Sequence, residues 1–127
     1  MKKILIVEDD VDLVKALQMR LADWKYETVV AIDAYEGIKL AMDQKPDLVI
    51  LDLMIPAGGG ISTLKNIRNS SKVRFIPVII LTGLKDEAVK RRVIEFGVSA
   101  YIEKPYKDED LKSAIDKCLQ NPAKQNQ

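Results

Sequence analysis

Carboxylates stand at two places where a short apolar run breaks off: Glu8-Asp9-Asp10 follows residues 4–7, and Asp52 follows residues 48–51. Two further runs end on other chemistry, the hydroxyl of Thr82 and the ammonium of Lys104, which precedes Pro105. Carboxylates brought together repel, so their pKa values rise or the group demands a cation. An acidic, oxygen-only set with few ligands suits magnesium (Mg2+), which keeps part of its water shell and accepts phosphate oxygens. A metal-bound carboxylate beside a lysine and a hydroxyl is a phosphoryl-acceptor arrangement. Asp52 would attack phosphorus in line and become an aspartyl phosphate. The cation and Lys104 would neutralise the transferring oxygens, and Thr82 would donate a hydrogen bond to one of them.

The elements that must position these groups follow from periodicity. Short apolar runs at residues 4–7, 28–31, 48–51, 78–81 and 101–102 read as strands apolar on both faces, as in a parallel sheet covered on both sides. Between them the spacing turns helical. In residues 11–24, Val14, Leu17 and Leu21 recur at steps of three and four, with Leu13 and Trp24 flanking the stripe. Asp33-Ala34-Tyr35-Glu36 has the form of a capping box opening a helix to about residue 43, which Pro46 then stops. Further helices fit residues 61–69, 85–96 and 107–119, and Gly97 stands where a left-handed helix end is expected. Five βα units in succession predict an α/β fold with a doubly wound parallel sheet. Ligands of such sheets bind beyond the carboxyl ends of the strands, where the four groups lie.

Composition narrows the chemistry. The 127 residues make one domain, and 20 basic against 19 acidic residues leave a net charge of +1, with no overall pull toward nucleic acid or an anionic membrane. No histidine is present, which removes imidazole catalysis, and Cys118 is the single cysteine, which removes an internal disulfide. Only four apolar residues separate Lys3 from Glu8, too few for a signal peptide, and no stretch approaches a membrane span. A cytoplasmic location is expected.

Four segments together carry a family resemblance: Ile-Leu-Ile-Val-Glu-Asp-Asp at 4–10, Leu-Asp-Leu-Met-Ile-Pro at 51–56, Leu-Thr-Gly at 81–83 and Tyr-Ile-Glu-Lys-Pro at 101–105. In order and at matching strand ends, they resemble the CheY-like receiver domain of two-component response regulators. The resemblance implies a flavodoxin-like (βα)5 sheet of strand order 2-1-3-4-5, a receiver over residues 1–120, and a polar tail or linker stub at 121–127. It implies Asp52 as phosphoacceptor, with Glu8, Asp9, Asp52 and the backbone carbonyl of Met54 around Mg2+. Lys104 would contact phosphate through a strand end with a cis bond to Pro105, and Thr82 and Tyr101 would form a switch pair acting on the α4-β5-α5 surface. Partners implied are a sensor histidine kinase or phosphotransfer protein and a downstream effector or output domain, with a phosphorylation-dependent dimer and no direct nucleic acid. Such a chain is a phosphoacceptor and catalyses only its own phosphorylation and dephosphorylation. It departs from many receivers at Gly59, where they carry an aspartate, within the permissive run Gly58-Gly59-Gly60.

Other readings compete. Asp10-Val11-Asp12-Leu13-Val14 fits the nucleophile pattern of haloacid dehalogenase-type hydrolases, although it begins two residues after the strand end and leaves Asp52 idle. A flavin-binding sheet would share the topology, but Glu8-Asp9-Asp10 would repel the flavin phosphate. A partner-binding domain without phosphorylation has no use for the acid, hydroxyl and lysine set. Asp10 reads as a helix cap, Lys107-Asp108-Glu109-Asp110 as a solvated helix start and Lys90-Arg91-Arg92 as a solvated face.

Overall fold

In the computed structural model, residues 1–119 are described. The elements alternate throughout: β1 (Lys3–Val7), α1 (Val11–Asp23), β2 (Glu27–Ala31), α2 (Ala34–Gln44), β3 (Leu48–Leu51), α3 (Gly59–Arg68), β4 (Val78–Thr82), α4 (Glu87–Phe96), β5 (Ala100–Glu103) and α5 (Asp108–Leu119). All pairings are parallel and the strand order is β2-β1-β3-β4-β5, the order the resemblance implies. The tail predicted at 121–127 lies outside the described residues. Among the described residues no helix is long and apolar enough to cross a membrane.

Strand alternation builds two cores. Leu5, Val7, Val49, Leu51, Val78 and Ile80 face one way and pack with Leu64, Ile67 and Val93 of α3 and α4. Ile4, Ile6, Leu48, Ile50, Ile79 and Leu81 face the other way, onto Val14, Leu17 and Leu21 of α1 and Leu111 and Ile115 of α5. Strands buried on both faces explain the unbroken apolar runs. The expectation of two covered faces fails for the edge strands. β2 and β5 are mostly half-buried, because each lacks a strand neighbour on one side.

Helix starts follow their caps. Asp10 accepts from the N–H groups of Asp12 and Leu13, and Asp86 from those of Ala88 and Val89, so α4 begins two residues later than its apolar spacing suggests. The predicted capping box is present with a shift. Asp33 accepts from the Glu36 N–H, while Glu36 reaches back to the N–H of Ile32. At the end of α2, Lys45 takes the left-handed conformation before Pro46. Gly97 ends α4 with φ +92°.

Helix α3 starts earlier than predicted, at Gly59, and the glycine run before it answers to geometry rather than looseness. Gly58 and Gly59 hold φ of +110° and +79°, a region side chains rarely enter. Gly60 donates its N–H to the Leu53 carbonyl at 3.0 Å. A Cβ on Gly60 would collide with the Asp52 carbonyl oxygen, so α3 rests directly on the backbone that carries Asp52.

Candidate functional site

Parallel register assembles the site. Val7 of β1 stands opposite Leu51 of β3, so Glu8 and Asp52, one step further, leave the sheet as neighbours. The Asp52 N–H continues the ladder to the Val7 carbonyl at 3.0 Å, and the Glu8 N–H reaches the Ala31 carbonyl at 2.9 Å. Thr82 closes β4, and the Lys104 N–H donates to its carbonyl at 2.8 Å. The Lys104-Pro105 bond is cis, as expected.

Every oxygen of the Asp52 carboxylate is held. The Thr82 hydroxyl donates to Oδ1 at 2.7 Å and the Met54 N–H to the same atom at 3.0 Å. The Lys104 Nζ lies 3.0 Å from Oδ2 and 2.8 Å from Glu8 Oε1, so one ammonium bridges two carboxylates. The second Glu8 oxygen accepts from the N–H groups of Asp9 and Asp10, both at 3.1 Å. Asp52 is 5 % exposed, Glu8 3 % and Thr82 0 %, whereas Asp9 faces solvent. The Leu84 N–H donates to the Thr82 oxygen at 3.2 Å and so helps orient the hydroxyl toward Asp52.

These contacts pull the two buried acids in opposite directions. Burial pushes the Glu8 carboxyl above its ordinary range, and Lys104 only partly offsets this. Burial would also raise Asp52, but the Met54 N–H, the Thr82 hydroxyl and the Lys104 ammonium outweigh it and hold the carboxyl below its usual value. Of the two buried acids, Asp52 is therefore the one whose ionised form its surroundings favour. The Lys104 ammonium loses hydration by burial, yet its bonds to Glu8 and Asp52 raise its pKa and keep it charged.

Glu8, Asp9 and Asp52 each bring a carboxylate oxygen within 4.8 Å of the others. Three carboxylates against one ammonium leave a local deficit that a divalent, oxygen-seeking cation would cancel, so the donor set fits magnesium. The residues predicted at positions 8, 9, 52, 82 and 104 thus meet in one place, and Met54 touches Asp52 through its backbone N–H rather than through the carbonyl predicted as a metal ligand.

Tyr101 lies one strand away on β5 and packs against the α3 and α4 side of the core. Its hydroxyl is buried without a hydrogen-bond partner, and burial raises its pKa. The Lys90 ammonium stands 5.2 Å from the ring centroid, so this residue of the supposedly solvated Lys90-Arg91-Arg92 run touches the predicted switch residue. No spacing rule pairs a helix lysine with an aromatic on the following strand, and the sequence held no signal for it. The hydrolase motif falls away on geometry. Asp10 is occupied as the α1 cap, and Asp12 is exposed in the first turn of α1, which leaves the hydrolase pattern without a site.

Comparison with known proteins agrees with this geometry. The family model for the response regulator receiver domain matches residues 4–116. The alkaline phosphatase synthesis transcriptional regulatory protein PhoP of Bacillus subtilis is 35 % identical over 118 residues, covering 93 % of this chain and 48 % of that protein. The chain spans about half the length of the first curated relatives it matches. Among solved structures, the signal receiver domain of a signal transduction histidine kinase from Syntrophus aciditrophicus superposes with a TM-score of 0.88 at 31 % identity, covering 96 % of this chain and 92 % of that one. The BeF3-activated N-terminal receiver domain of RstA from Klebsiella pneumoniae gives 0.85 at 27 % identity, covering 94 % and 99 %.

Proposed function

The chain belongs to the response regulator receiver domain family, and on that premise we propose that Asp52 is its phosphoacceptor. The observation that carries this assignment is the buried Asp52 carboxylate gripped by Thr82, Met54 and Lys104 inside an acidic cluster. The donor is a phosphohistidine of a sensor kinase or phosphotransfer protein, since this chain has no histidine. An Asp52 oxygen forms the new P–O bond as the P–N bond to the donor imidazole breaks, and the electron pair leaves with that ring nitrogen.

This chain's own groups prepare that step. Lys104, already 3.0 Å from Asp52, supplies positive charge where the phosphoryl oxygens arrive. Thr82 turns its hydroxyl from the carboxylate to a phosphoryl oxygen, remaining a donor throughout. Glu8, Asp9, Asp52 and the Met54 carbonyl would hold Mg2+. When bound, the cation neutralises charge on the transferred group. Movement of Thr82 changes the packing behind it, where Tyr101 and then Lys90 of α4 respond, and the α4, β5 and α5 surface changes with them. A cytoplasmic setting, an effector or output domain as reader, and a dimer formed on phosphorylation complete the reading.

Incubation with acetyl phosphate and Mg2+, followed by intact-mass analysis, tests it. Wild type should gain one phosphoryl group that is labile to acid, base and hydroxylamine, as a mixed anhydride is, and Asp52→Asn none. Equal incorporation in both proteins would remove Asp52 from the acceptor role.

A further inference from the structure

Residues 53–85 carry Lys65, Arg68, Lys72, Arg74 and Lys85 and no Asp or Glu, in a chain whose net charge is only +1. All but Lys85 lie with two aromatic residues toward the amino-terminal end of β4, away from the end that presents Thr82 to Asp52. Phe75 is 85 % exposed with the Arg74 guanidinium 4.8 Å from its ring centroid, and the Lys65 ammonium lies 5.9 Å from that of Phe96. One groove is lined by Arg68, Arg74, Phe75 and Phe96. A second joins Phe75 to the apolar walls of Ile76, Pro77 and Val98, and a third runs past Lys72. Three grooves therefore converge on one exposed aromatic ring.

Carboxylates near these grooves are few. Asp47 accepts from the Lys3 N–H at 2.8 Å, Glu95 lies beside Phe96, and Asp110 stands at the far side of the second groove. Among the described residues Lys65, Lys72 and Arg74 form no ion pair. We propose that this face docks an acidic segment of a partner protein, with an apolar side chain anchored against Phe75 and carboxylates set on Lys72 and Arg74. Arginine and aromatic side chains packed together are what interface hot spots are made of.

The geometry favours a peptide over a nucleic acid. Arg68, central to the face, donates to the carbonyls of Gly97, Arg74 and Ile76 and has no free fork for phosphate. Arg74 already covers one side of the Phe75 ring, where a base would stack. The chain's own residues 120–127 carry Lys124 and no Asp or Glu, so they lack the complementary charge.

Fluorescence anisotropy tests the proposal on the full chain. The probe is a short fluorescein-labelled peptide of glutamate pairs separated by single phenylalanines, measured against its lysine counterpart and against an oligothymidylate. The acidic peptide should bind, weaken with salt, and lose about tenfold in affinity with Phe75→Ser or Arg74→Glu. Lys15→Glu, on exposed α1, should leave it unchanged. Both face variants should retain wild-type melting and phosphoryl uptake from acetyl phosphate, which separates this proposal from the role of Asp52. Equal binding of the lysine peptide, tighter binding of the oligothymidylate, or unchanged affinity in Phe75→Ser overturns it. So does a dimer of the protein alone, seen by sedimentation and dispersed by Phe75→Ser, which would give the face to a second copy.

Discussion

Lys104 reaches two carboxylates at once, 2.8 Å from Glu8 and 3.0 Å from Asp52, while its own side chain is only 25 % exposed. Lys104→Met leaves two buried acids facing each other without their cation. Breaking a buried pair in this way costs about 3 kcal/mol, and urea melts in EDTA should show a loss of that order. Added Mg2+ should return much of it, because a divalent ion in the cluster does the same neutralising work. Asp52→Asn loses the anion that Thr82, Met54 and Lys104 stabilise, so its melting temperature in EDTA should fall below that of wild type. Wild type should gain about 1.4 kcal/mol when Mg2+ is tenfold above its dissociation constant, and Asp52→Asn clearly less. A wild-type response to Mg2+ in the Asp52→Asn variant would place the cation away from Asp52.

At the scale of elements, backbone closeness rather than side-chain chemistry fixes the position of Asp52. Helix α3 approaches so near that a Gly60 Cβ would collide with the Asp52 carbonyl oxygen and lie 2.5 Å from the Leu53 Cα. Backbone at both points makes relief expensive, so Gly60→Ala should lose about 2 kcal/mol of stability, within the range for overpacking, and slow phosphorylation as Asp52 is displaced. Wild-type kinetics and melting in Gly60→Ala would show that α3 can slide away freely. Arg68 closes the other end of α3. It donates to Gly97 at 2.7 and 3.0 Å, to Arg74 at 2.9 Å and to Ile76 at 2.8 Å, tying α3 to the end of α4 and the approach to β4. Arg68→Ala removes four charge-assisted hydrogen bonds, which water replaces in part at exposed Gly97 and Arg74, and should destabilise by about 2 kcal/mol. Arg68→Lys should rescue only part, since an ammonium lacks the planar fork, and full rescue in urea melts would count against the clamp.

Across the whole molecule, the sheet and its acidic end were legible because apolar runs stop abruptly. Residues 4–7 and 48–51 are buried on both faces, and the first charged residue after each marks the strand end. Which face each residue takes was not legible, since Ile4 and Leu5 have the same chemistry yet belong to different cores. Long-range partners were also hidden: the second carboxylate on Lys104, the carbonyls under Arg68 and the lysine over Tyr101 each depend on tertiary approach. Burial nonetheless shows where this fold can move. Strands β1, β3 and β4 are buried almost throughout, whereas β5 is half-buried at every position and Val93 is the one residue that α4 buries fully. Tyr101, with its unsatisfied hydroxyl, sits at that loosely held junction. Local opening draws on such thinly packed elements first. Hydrogen exchange of the native protein should therefore be fastest, among the secondary elements, in α4 and β5. Beryllofluoride with Mg2+ should change protection there more than in α1 or α2, because Thr82 connects Asp52 to β4 and Tyr101 connects the next strand to α4 through Lys90. Phe in place of Tyr101 removes the hydroxyl that has no partner, so it should leave basal stability near wild type while reducing the beryllofluoride-induced change. Equal change in α1, or an unaltered response in Tyr101→Phe, would move the switching path off this side of the sheet.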